Sequence, residues 1–470
     1  MGRGKADTQK KGFWNFIDDI EGDKVVWIIV FLLMIASVLA IFSSTSLLPV
    51  EATADRIDTI RQHIIVVIAG LLLIIGLYKV PKIGWFRLFS QFGFLVSFIL
   101  LALLDAHVKW GFVNAQYING AWRTLELFGF QLHVFEVVKV AMVMYLAWAM
   151  SAYKQDQEDI ARRKKSTTLS FANFMATSKT FAFMGNPFWK RMLYMYLPTV
   201  IVCVMTMLGS NSSALFIGLI LLATMLIGGV PFKEIGIALT IGVIGIGMLV
   251  GIHKATDGDF IPRLGTAISR VNADYDTDEL RQLKPNSKEF YAALDDIRQP
   301  YSAKIAVHEG RLMGKGSGNS TQKYVVTNIY GDYMFSFLIE EYGLLIGGIL
   351  VILLYVSLLA RGSMIARLCS NEFAKITVGG LTVLITGQAF MHMLVNVDIG
   401  PMTGQTLPLI SHGACAFLVF CIAFGVILSI SRMARQKIRE EEEAAAPLYE
   451  SEKDDIQVSM DVLEQLDNLE

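Results

Sequence analysis

Apolar residues in this chain are gathered into about ten long runs, separated by polar or glycine-containing stretches. A run of roughly twenty apolar residues can cross a bilayer as a helix, and soluble domains do not repeat such runs. The predicted spans are Val25–Phe42, His63–Val80, Phe89–Asp105, Val134–Ala152, Leu193–Leu208, Ser213–Gly229, Glu234–Gly251, Tyr333–Ala360, Ile376–Val395 and Gly413–Ser431. The pattern therefore predicts an all-α polytopic membrane protein with one large loop between spans seven and eight.

Lysine and arginine cluster in alternate loops, and this alternation predicts how the chain is oriented. Loops rich in these residues stay in the cytoplasm, so both termini are expected there, as an even number of spans also requires. Segment 252–332 is then a large extracytoplasmic loop, because long loops escape the charge rule. The expected divisions are a cytoplasmic or interfacial N-terminus 1–24, a ten-helix membrane domain 25–432 with a basic cytoplasmic loop 153–191, and an acidic cytoplasmic tail 433–470.

Composition agrees with the membrane class and excludes others. The chain is 54% hydrophobic, and its net charge of −1 gives no argument for nucleic acid, which is not expected as a partner. The four cysteines lack CxxC spacing and the seven histidines lack ligand spacing, so no metal centre is predicted. The acidic tail from Glu440 to about Asp455 is predicted to be disordered, because charged segments with few apolar residues bury too little surface to fold.

The start of the eighth apolar run places carboxylates within the depth of the membrane, where charged groups are unusual. Asp332 lies at the mouth of the predicted helix, and Glu340 and Glu341 follow roughly two to three turns further along it. Such carboxylates are costly to keep in a membrane, and low dielectric with like charges favours proton uptake, which suits proton abstraction. Asp332 is therefore a candidate general base. The alternative, which its position alone favours, is that it caps the helix.

Charged residues also lie around the start of the fourth span. Glu136 and Lys139 are three residues apart and share a helix face, where the pair could serve as structural glue. Just before them stand Trp122 and Arg123, and a planar guanidinium suits phosphate or carboxylate. Arg123 with Lys139 could instead hold a diphosphate, while Trp122 could flank a sugar or a lipid.

The large loop adds cations and glycine to this picture. Lys304, Arg311 and Lys315 stand near the run Gly314–Asn319. Glycine-rich turns can cradle anions, but this run follows no strand, so a P-loop is excluded. Taken by itself, the segment indicates only a loop with cationic and backbone-donor character.

The stretch between the last two spans, Asn396–Gly413, carries two prolines and three glycines. Irregular backbone at the membrane surface is tolerated only where it is buried in protein or lines a water-filled cavity. The stretch resembles the signature of the SEDS family (shape, elongation, division and sporulation), approximately V-N-x-G-x-x-P-x-T-G-x-x-L-P-x-x-S-x-G-G. The segment from Asp332 to Gly343 is similar to the family's T-D-F-I-F-A-x-x-x-E-E-x-G. Further matches are Gly120–Arg123, Glu136–Lys139 and Lys304–Gln322.

The resemblance implies a peptidoglycan glycosyltransferase that polymerises lipid II, an undecaprenyl-diphosphate-linked disaccharide peptide, outside the bacterial cytoplasmic (inner) membrane. Asp332 would be the general base that deprotonates the acceptor sugar hydroxyl, and this implication favours a base over a cap. Cationic groups would bind the diphosphate or stabilise it as it leaves. The substrate-binding residues implied are Arg123, Trp122, Glu136, Lys139, Lys304, Glu340 and Ser411.

Partners and branch also follow from the resemblance alone. The family usually works with a class B penicillin-binding protein transpeptidase, so this partner, other division proteins and membrane lipid are expected. Residues 41–46 and Lys304–Ala306 look like the cell-division branch, FtsW, as it occurs in Bacteroidetes-like bacteria; the elongation branch, RodA, is the alternative. No cofactor is implied with certainty, and a role for a divalent cation is left open.

The chain departs from the family pattern in places. The Q-P-S-E motif reads His133–Glu136, and the Q-P-D-x-G-T stretch reads Gly209–Ala214, where an amide replaces the carboxylate. Two other functions therefore stay open. One is a scaffolding member without activity. The other is a lipid carrier, whose polar path would be lined by Glu136, Lys139 and Glu340.

Overall fold

The computed structural model describes residues 21–45, 53–118, 121–164, 168–255, 287–326, 329–400 and 403–467. Predictions for residues 1–20 and for 256–286 of the large loop fall outside the described residues. Up to the sixth span, the elements are α1 Lys24–Ser44, α2 Thr53–Tyr78, α3 Ile83–Ser90, α4 Gly93–Asp105, β1 Lys109–Trp110, β2 Val113–Ile118, β3 Ala121–Leu127, β4 Phe130–His133, α5 Val134–Ala161, α6 Ser170–Met175, α7 Pro187–Arg191, α8 Leu197–Gly209 and α9 Asn211–Ile227.

In the second half of the chain, every regular element of the described segments is helical. Its α-helices are α10 Phe232–Ala255, α11 Lys288–Gly310, α12 Met334–Gly343, α13 Val351–Leu368, α14 Glu372–Asn396 and α15 Ala414–Asp467. Helices α14 and α15 form the centre of the bundle, since 72% and 83% of their apolar windows are buried. Helix α14 packs against α5, α9, α12, α13 and α15, so polar groups on it can reach several neighbours.

Seven helices in the described part are long and apolar enough to cross a membrane, or eight if the bent pair α3–α4 counts as one span. Each of the ten predicted spans nevertheless overlaps at least one helix, the sixth and seventh α9 and α10. The helical, polytopic class is thus confirmed, while ten as the number of spans stays a prediction.

The all-α expectation is wrong for residues 109–133, which form a four-stranded antiparallel sheet in the order β1-β2-β3-β4. Strands β3 and β4 are joined by the two-residue turn Phe128–Gly129, and both residues have positive φ (51° and 82°). Positive φ at both positions matches the right-handed twist of a hairpin. The sheet carries Trp122 and Arg123 on β3 and leads directly into α5.

The eighth predicted span is interrupted near its beginning. Helix α12 ends at Gly343, whose φ is +76°, and a π-helical segment, Leu344–Leu350, continues into α13. Left-handed backbone suits glycine, because a β-carbon clashes there. The interruption leaves backbone N–H and C=O groups without partners inside the helix, and lipid cannot hydrogen-bond to them.

Segment 310–326, called the docked segment here, supplies partners for these backbone groups. The amides of Lys315 and Gly316 donate to the carbonyls of Glu340 and Glu341 at 2.8 and 2.9 Å. In return, the Leu344 amide donates to a carbonyl of the docked segment at 2.8 Å. The break and the docked segment therefore form one hydrogen-bonded unit.

Replacing Gly343 with alanine is expected to destabilise this unit strongly. The new β-carbon would lie 2.3 Å from the Leu312 carbonyl oxygen and would sit at positive φ, so we expect a loss of at least about 2 kcal/mol. Thermal unfolding in detergent, followed by tryptophan fluorescence, measures it. Gly242→Ala is the control, because its β-carbon would meet no atom within 4 Å. Equal unfolding temperatures for both variants would contradict the account.

The acidic tail differs from its prediction. Helix α15 continues through Asp467, so the expected disorder up to about Asp455 is wrong for the described residues. A tail that grows from a formed span avoids the cost of helix nucleation. Ion pairs four residues apart, Lys437–Glu441 at 3.6 Å and Arg439–Glu443 at 3.8 Å, support its first turns.

Candidate active site

Asp332 lies in the turn directly before α12 and is half-buried. The N-cap position belongs to Tyr333, whose carbonyl accepts the amide of Phe337 at 3.1 Å. Asp332 therefore precedes the helix and does not occupy its cap. A β-carbon placed on Gly404 would lie 3.9 Å from Asp332 Oδ2, so the irregular stretch between the last spans passes directly beside the carboxylate.

The amides of the first turn of α12 are satisfied by side chains of α14. The Ser336 amide donates to Asn396 Oδ1 at 3.0 Å, and the Phe335 amide donates to His392 Nε2 at 3.4 Å. Asn396 Nδ2 also donates to the Asp332 carbonyl at 3.1 Å. These are the amides that a capping side chain would otherwise bind. A neighbouring helix thus fixes the backbone on which Asp332 stands.

Residues 403–413, called the site loop here, hold the same turn from the other side. Ser411 Oγ donates to the Gly331 carbonyl at 2.8 Å and accepts the Leu407 amide at 2.9 Å. The His412 amide donates to the Tyr330 carbonyl at 2.8 Å. Ser411, predicted to bind substrate, therefore uses its hydroxyl to position the turn.

Lys139 is enclosed in the bundle beneath the site loop and is 2% exposed. Its ammonium group donates to Glu136 Oε1 at 2.7 Å, Gln388 Oε1 at 2.5 Å and Gln405 Oε1 at 2.9 Å. An ammonium has three protons to donate, so this set is complete. The geometry matches the structural-glue interpretation of the pair. Glu136 Oε2 is buried and accepts no hydrogen bond among the described residues, which leaves it for a further donor.

The Lys139 cluster and the Asp332 turn are linked through the site loop. Gln405, which binds Lys139, also uses its backbone carbonyl to contact His392 Nδ1 at 2.7 Å. Because Nε2 of the same ring accepts the Phe335 amide, Nδ1 must carry the proton and donate it. A continuous chain of hydrogen bonds thus runs from the buried cation to the first turn of α12.

Glu340 lies elsewhere, in contact with the docked segment, and is completely buried. Its carboxylate accepts from Ser320 Oγ at 2.5 Å, from the Thr321 amide at 2.8 Å and from Lys315 Nζ at 3.0 Å. The neighbouring Glu341 accepts from Ser43 Oγ at 2.5 Å. Glu340 was expected to bind substrate, but the structure places it as the anchor of the docked segment.

The remaining predicted residues lie around these clusters. Lys304 on α11 is 43% exposed and pairs with Asp398, which follows α14 by two residues. The Trp122 ring stacks on His107 with centroids 4.3 Å apart. Arg123, next to it on β3, is half-buried. Lys304 therefore stands at the rim of the loop that carries the site, and the two β3 residues stand on the sheet.

Sequence reasoning missed the polar face of α14. Gln388, His392 and Asn396 recur every four residues in a largely apolar helix, so they share one face, and each is at most 1% exposed. Polar residues inside a span are costly and are therefore informative. This spacing was the signal that could have found them.

Among the described residues, no group of three or more His, Cys, Asp or Glu side chains could hold a metal ion.

His412 is expected to make the protein acid-sensitive. Burial lowers the pKa of His412 below its usual 6.5, and its ring lies against Tyr330, with centroids 5.4 Å apart. A depressed histidine pKa means that the unfolded chain takes up the proton first, so stability should fall as the pH drops below about 6.5. Unfolding temperatures between pH 8 and 5 measure this. His412→Gln should flatten the decline and the exposed-site control His308→Gln should not; equal slopes in all three proteins would contradict it.

Curated proteins similar to this chain cover almost its whole length. Peptidoglycan glycosyltransferase MrdB of Escherichia coli (strain K12) is 25% identical over 431 residues, which are 90% of this chain and 96% of that protein. The probable peptidoglycan glycosyltransferase FtsW of Halorhodospira halophila is 27% identical over 443 residues, covering 92% and 96%. The curated relatives of this chain thus include both MrdB and FtsW proteins.

Solved structures share the fold. The crystal structure of the rod shape determining protein RodA of Thermus thermophilus matches with a TM-score of 0.52 at 18% identity, covering 88% of this chain and 98% of that one. A chain from a peptidoglycan synthase complex that coordinates polymerization and crosslinking matches with a TM-score of 0.59, also at 18% identity, covering 88% and 99%. The sequence model of the FtsW/RodA/SpoVE family, described as cell cycle proteins, matches residues 23–436 of this chain. The chain therefore belongs to the FtsW/RodA/SpoVE family.

Proposed function

We propose that this protein is a peptidoglycan glycosyltransferase that polymerises lipid II at the outer face of the cytoplasmic membrane. The proposal rests on the hydrogen bonds that fix the backbone on either side of Asp332. Asn396 and His392 hold the first turn of α12, and Ser411 holds the preceding turn, so the Asp332 carboxylate lies beside Gly404 on a fixed backbone. A general base needs such fixed placement. The names of the curated relatives agree with this activity.

In the proposed reaction, Asp332 takes the proton from a hydroxyl group of the acceptor sugar. The resulting oxygen attacks the anomeric carbon of the donor, and the bond from that carbon to the diphosphate oxygen breaks. Undecaprenyl diphosphate leaves with the bonding electron pair. We assign Lys304 and Arg123 to the diphosphate charge, and Trp122 and Glu136 Oε2 to the sugar or peptide.

Three of the residues first predicted to contact substrate receive a different role in this proposal. Lys139, Glu340 and Ser411 already use their polar atoms on other parts of the protein. We assign them to positioning: Lys139 and Ser411 hold the site loop, and Glu340 holds the docked segment. Their loss would act on the site through the backbone that they fix.

A lipid carrier is the less favoured function. Its polar path was to be lined by Glu136, Lys139 and Glu340. In the structure Lys139 is enclosed under the site loop, whereas Glu340 is enclosed under the docked segment, so the two belong to separate clusters. Because the polar atoms of Lys139 and Glu340 are buried and bonded to protein, these two residues do not line a water-filled path. The scaffolding alternative is less favoured, because a protein without activity would not need the Asp332 backbone to be held in place.

The biological role, orientation and partners are also proposals. We propose a role in cell division, because residues 41–46 and Lys304–Ala306 resemble that branch, with elongation as the alternative. Both termini are proposed to be cytoplasmic on the distribution of Lys and Arg. A class B penicillin-binding protein is the proposed partner, and a structural neighbour comes from a peptidoglycan synthase complex. Depletion separates the roles, since filamentous cells indicate division and rounded cells indicate elongation.

Purified protein, with its cognate transpeptidase and lipid II, tests the activity. We expect glycan strands that resolve as a ladder on gels. If no strands form, the same preparation in vesicles should be assayed for movement of labelled lipid II between leaflets. Movement without polymerisation would replace the proposed function by the carrier.

A further inference from the structure

A cavity of about 520 Å³ lies between α3, α5, the segment 168–170 and Tyr194. Its wall includes Ala152 of α5, which follows Lys139 by 13 residues on the same helix. A helix rises 1.5 Å per residue, so the cavity is about 20 Å along the bundle from the Lys139 cluster. The volume suits a small molecule or a lipid headgroup. The proposed reaction makes no use of this cavity.

One cation stands in the wall of this cavity. The residues that line it include Arg87 and no acidic side chain. Arg87 donates to the neutral amide oxygen of Gln155 at 2.9 Å. The two cations of α7 are paired instead: Lys190 with Asp156 of α5 at 2.5 Å, and Arg191 with Glu234 at 2.6 Å. The wall therefore has a net positive charge that an anion could compensate.

The rest of the wall is amphipathic. Gln91, Thr168 and Tyr194 contribute polar groups, whereas Trp148 contributes an apolar ring. Gly84, Arg87 and Leu88 lie on the side of α3 that lines the cavity, and Gln91 follows directly after the helix. Away from the cavity the same helix exposes two large apolar residues, Trp85 and Phe89, which lipid would cover in a membrane.

We propose that this cavity binds the phosphodiester headgroup of an anionic phospholipid. The Arg87 guanidinium binds the phosphate, since its planar fork matches phosphate oxygens. The acyl chains leave across the exposed apolar face of α3, and Trp148 covers the glycerol region. In the proposed orientation the site belongs to the cytoplasmic leaflet, where Arg, Trp and Tyr at the interface favour anionic lipid. This site is separate from the proposed lipid II chemistry.

The test measures lipid binding to the full-length protein in a zwitterionic detergent by native mass spectrometry. Phosphatidylglycerol, phosphatidylethanolamine and inorganic phosphate are the three probes. We expect the wild type to retain phosphatidylglycerol, and Arg87→Gln to bind it roughly tenfold more weakly, as the loss of a charge-assisted hydrogen bond predicts. Arg367→Gln is the matched control, since Arg367 is exposed and does not line the cavity.

A second variant removes space instead of charge. Gly84→Leu fills the cavity, and its β-carbon would meet no atom within 4 Å, so folding should be unaffected. It should weaken phosphatidylglycerol binding while Arg87 remains. Wild-type binding in both Arg87→Gln and Gly84→Leu would overturn the proposal. Equal binding of phosphatidylethanolamine, or equally tight binding of inorganic phosphate alone, would overturn the anionic-lipid assignment.

Discussion

Asp332→Asn is expected to reduce glycan strand formation at least about a hundredfold, which is the usual contribution of a positioned general base. Asparagine keeps the size and polarity of the side chain but cannot accept the proton of the acceptor hydroxyl. The Asp332 carbonyl accepts from Asn396 Nδ2, and the substitution preserves this carbonyl, so the fold should remain. Strand length and amount from purified lipid II are the readout, and thermal unfolding verifies that the variant is folded.

Asp58→Asn is the matched control for this experiment. Asp58 is exposed near the start of α2, and that helix ends with Tyr78 bonded to the Glu21 carbonyl at the opposite end of the bundle. The control therefore removes one carboxylate from the same end of the molecule without touching the site. Strands from Asp332→Asn at the wild-type level would place the general base on another residue. Loss of strands in both variants would indicate a general effect of charge.

Lys139→Met should be among the most destabilising single substitutions in the bundle. It leaves the Glu136 carboxylate and the amide oxygens of Gln388 and Gln405 without their shared donor. Breaking a buried ion pair by removing one partner costs about 3–5 kcal/mol. Strand formation should fall as well, because Gln405 belongs to the loop that holds Asp332. Unfolding in detergent and lipid II polymerisation measure the two effects.

Two further variants show how much of the lost stability comes from the buried Lys139–Glu136 ion pair. Lys375→Met breaks an ion pair with the same three-residue spacing, Lys375–Glu372 at 3.8 Å, in which both side chains are about 40% exposed. An exposed pair contributes at most about 1 kcal/mol, so its loss should be small. Combining Lys139→Met with Glu136→Leu should restore part of the stability, since no buried charge is left unpaired. A double variant less stable than Lys139→Met would contradict this.

The sequence allowed the positions of the helices to be predicted, and it singled out Asp332 and the stretch after α14 as the candidate site. Both depend on local signals. Apolar runs mark the helices, and Pro408 and Gly404 mark a broken backbone at the membrane surface. Position alone favoured a cap for Asp332, and the structure assigns that position to Tyr333. The general-base role of Asp332 remains a proposal.

The partners of the polar groups could not be predicted, because they come from distant parts of the chain. Ser336 meets Asn396 across 60 residues, and Lys139 meets Gln405 across 266. Glu340 looked like a residue of the site because it follows Asp332 in sequence, yet its helix turns it toward the docked segment. The sheet at 109–133 was missed because its strands are short and lie next to long apolar runs, which dominate the pattern.

The spacing of Glu136 and Lys139 also bears on how the protein enters the membrane. Gln388 lies 249 residues after Lys139, so at typical synthesis rates of about 5–20 residues per second the fourth span waits roughly 10–50 s for that partner. If the only partners of Lys139 lay on α14, the lysine would be an unpaired cation in lipid during that interval. Because its carboxylate partner lies three residues away on the same helix, the span can instead enter the bilayer already neutralised. The glutamines arrive later and turn a helix that is fit for insertion into a fixed part of the bundle.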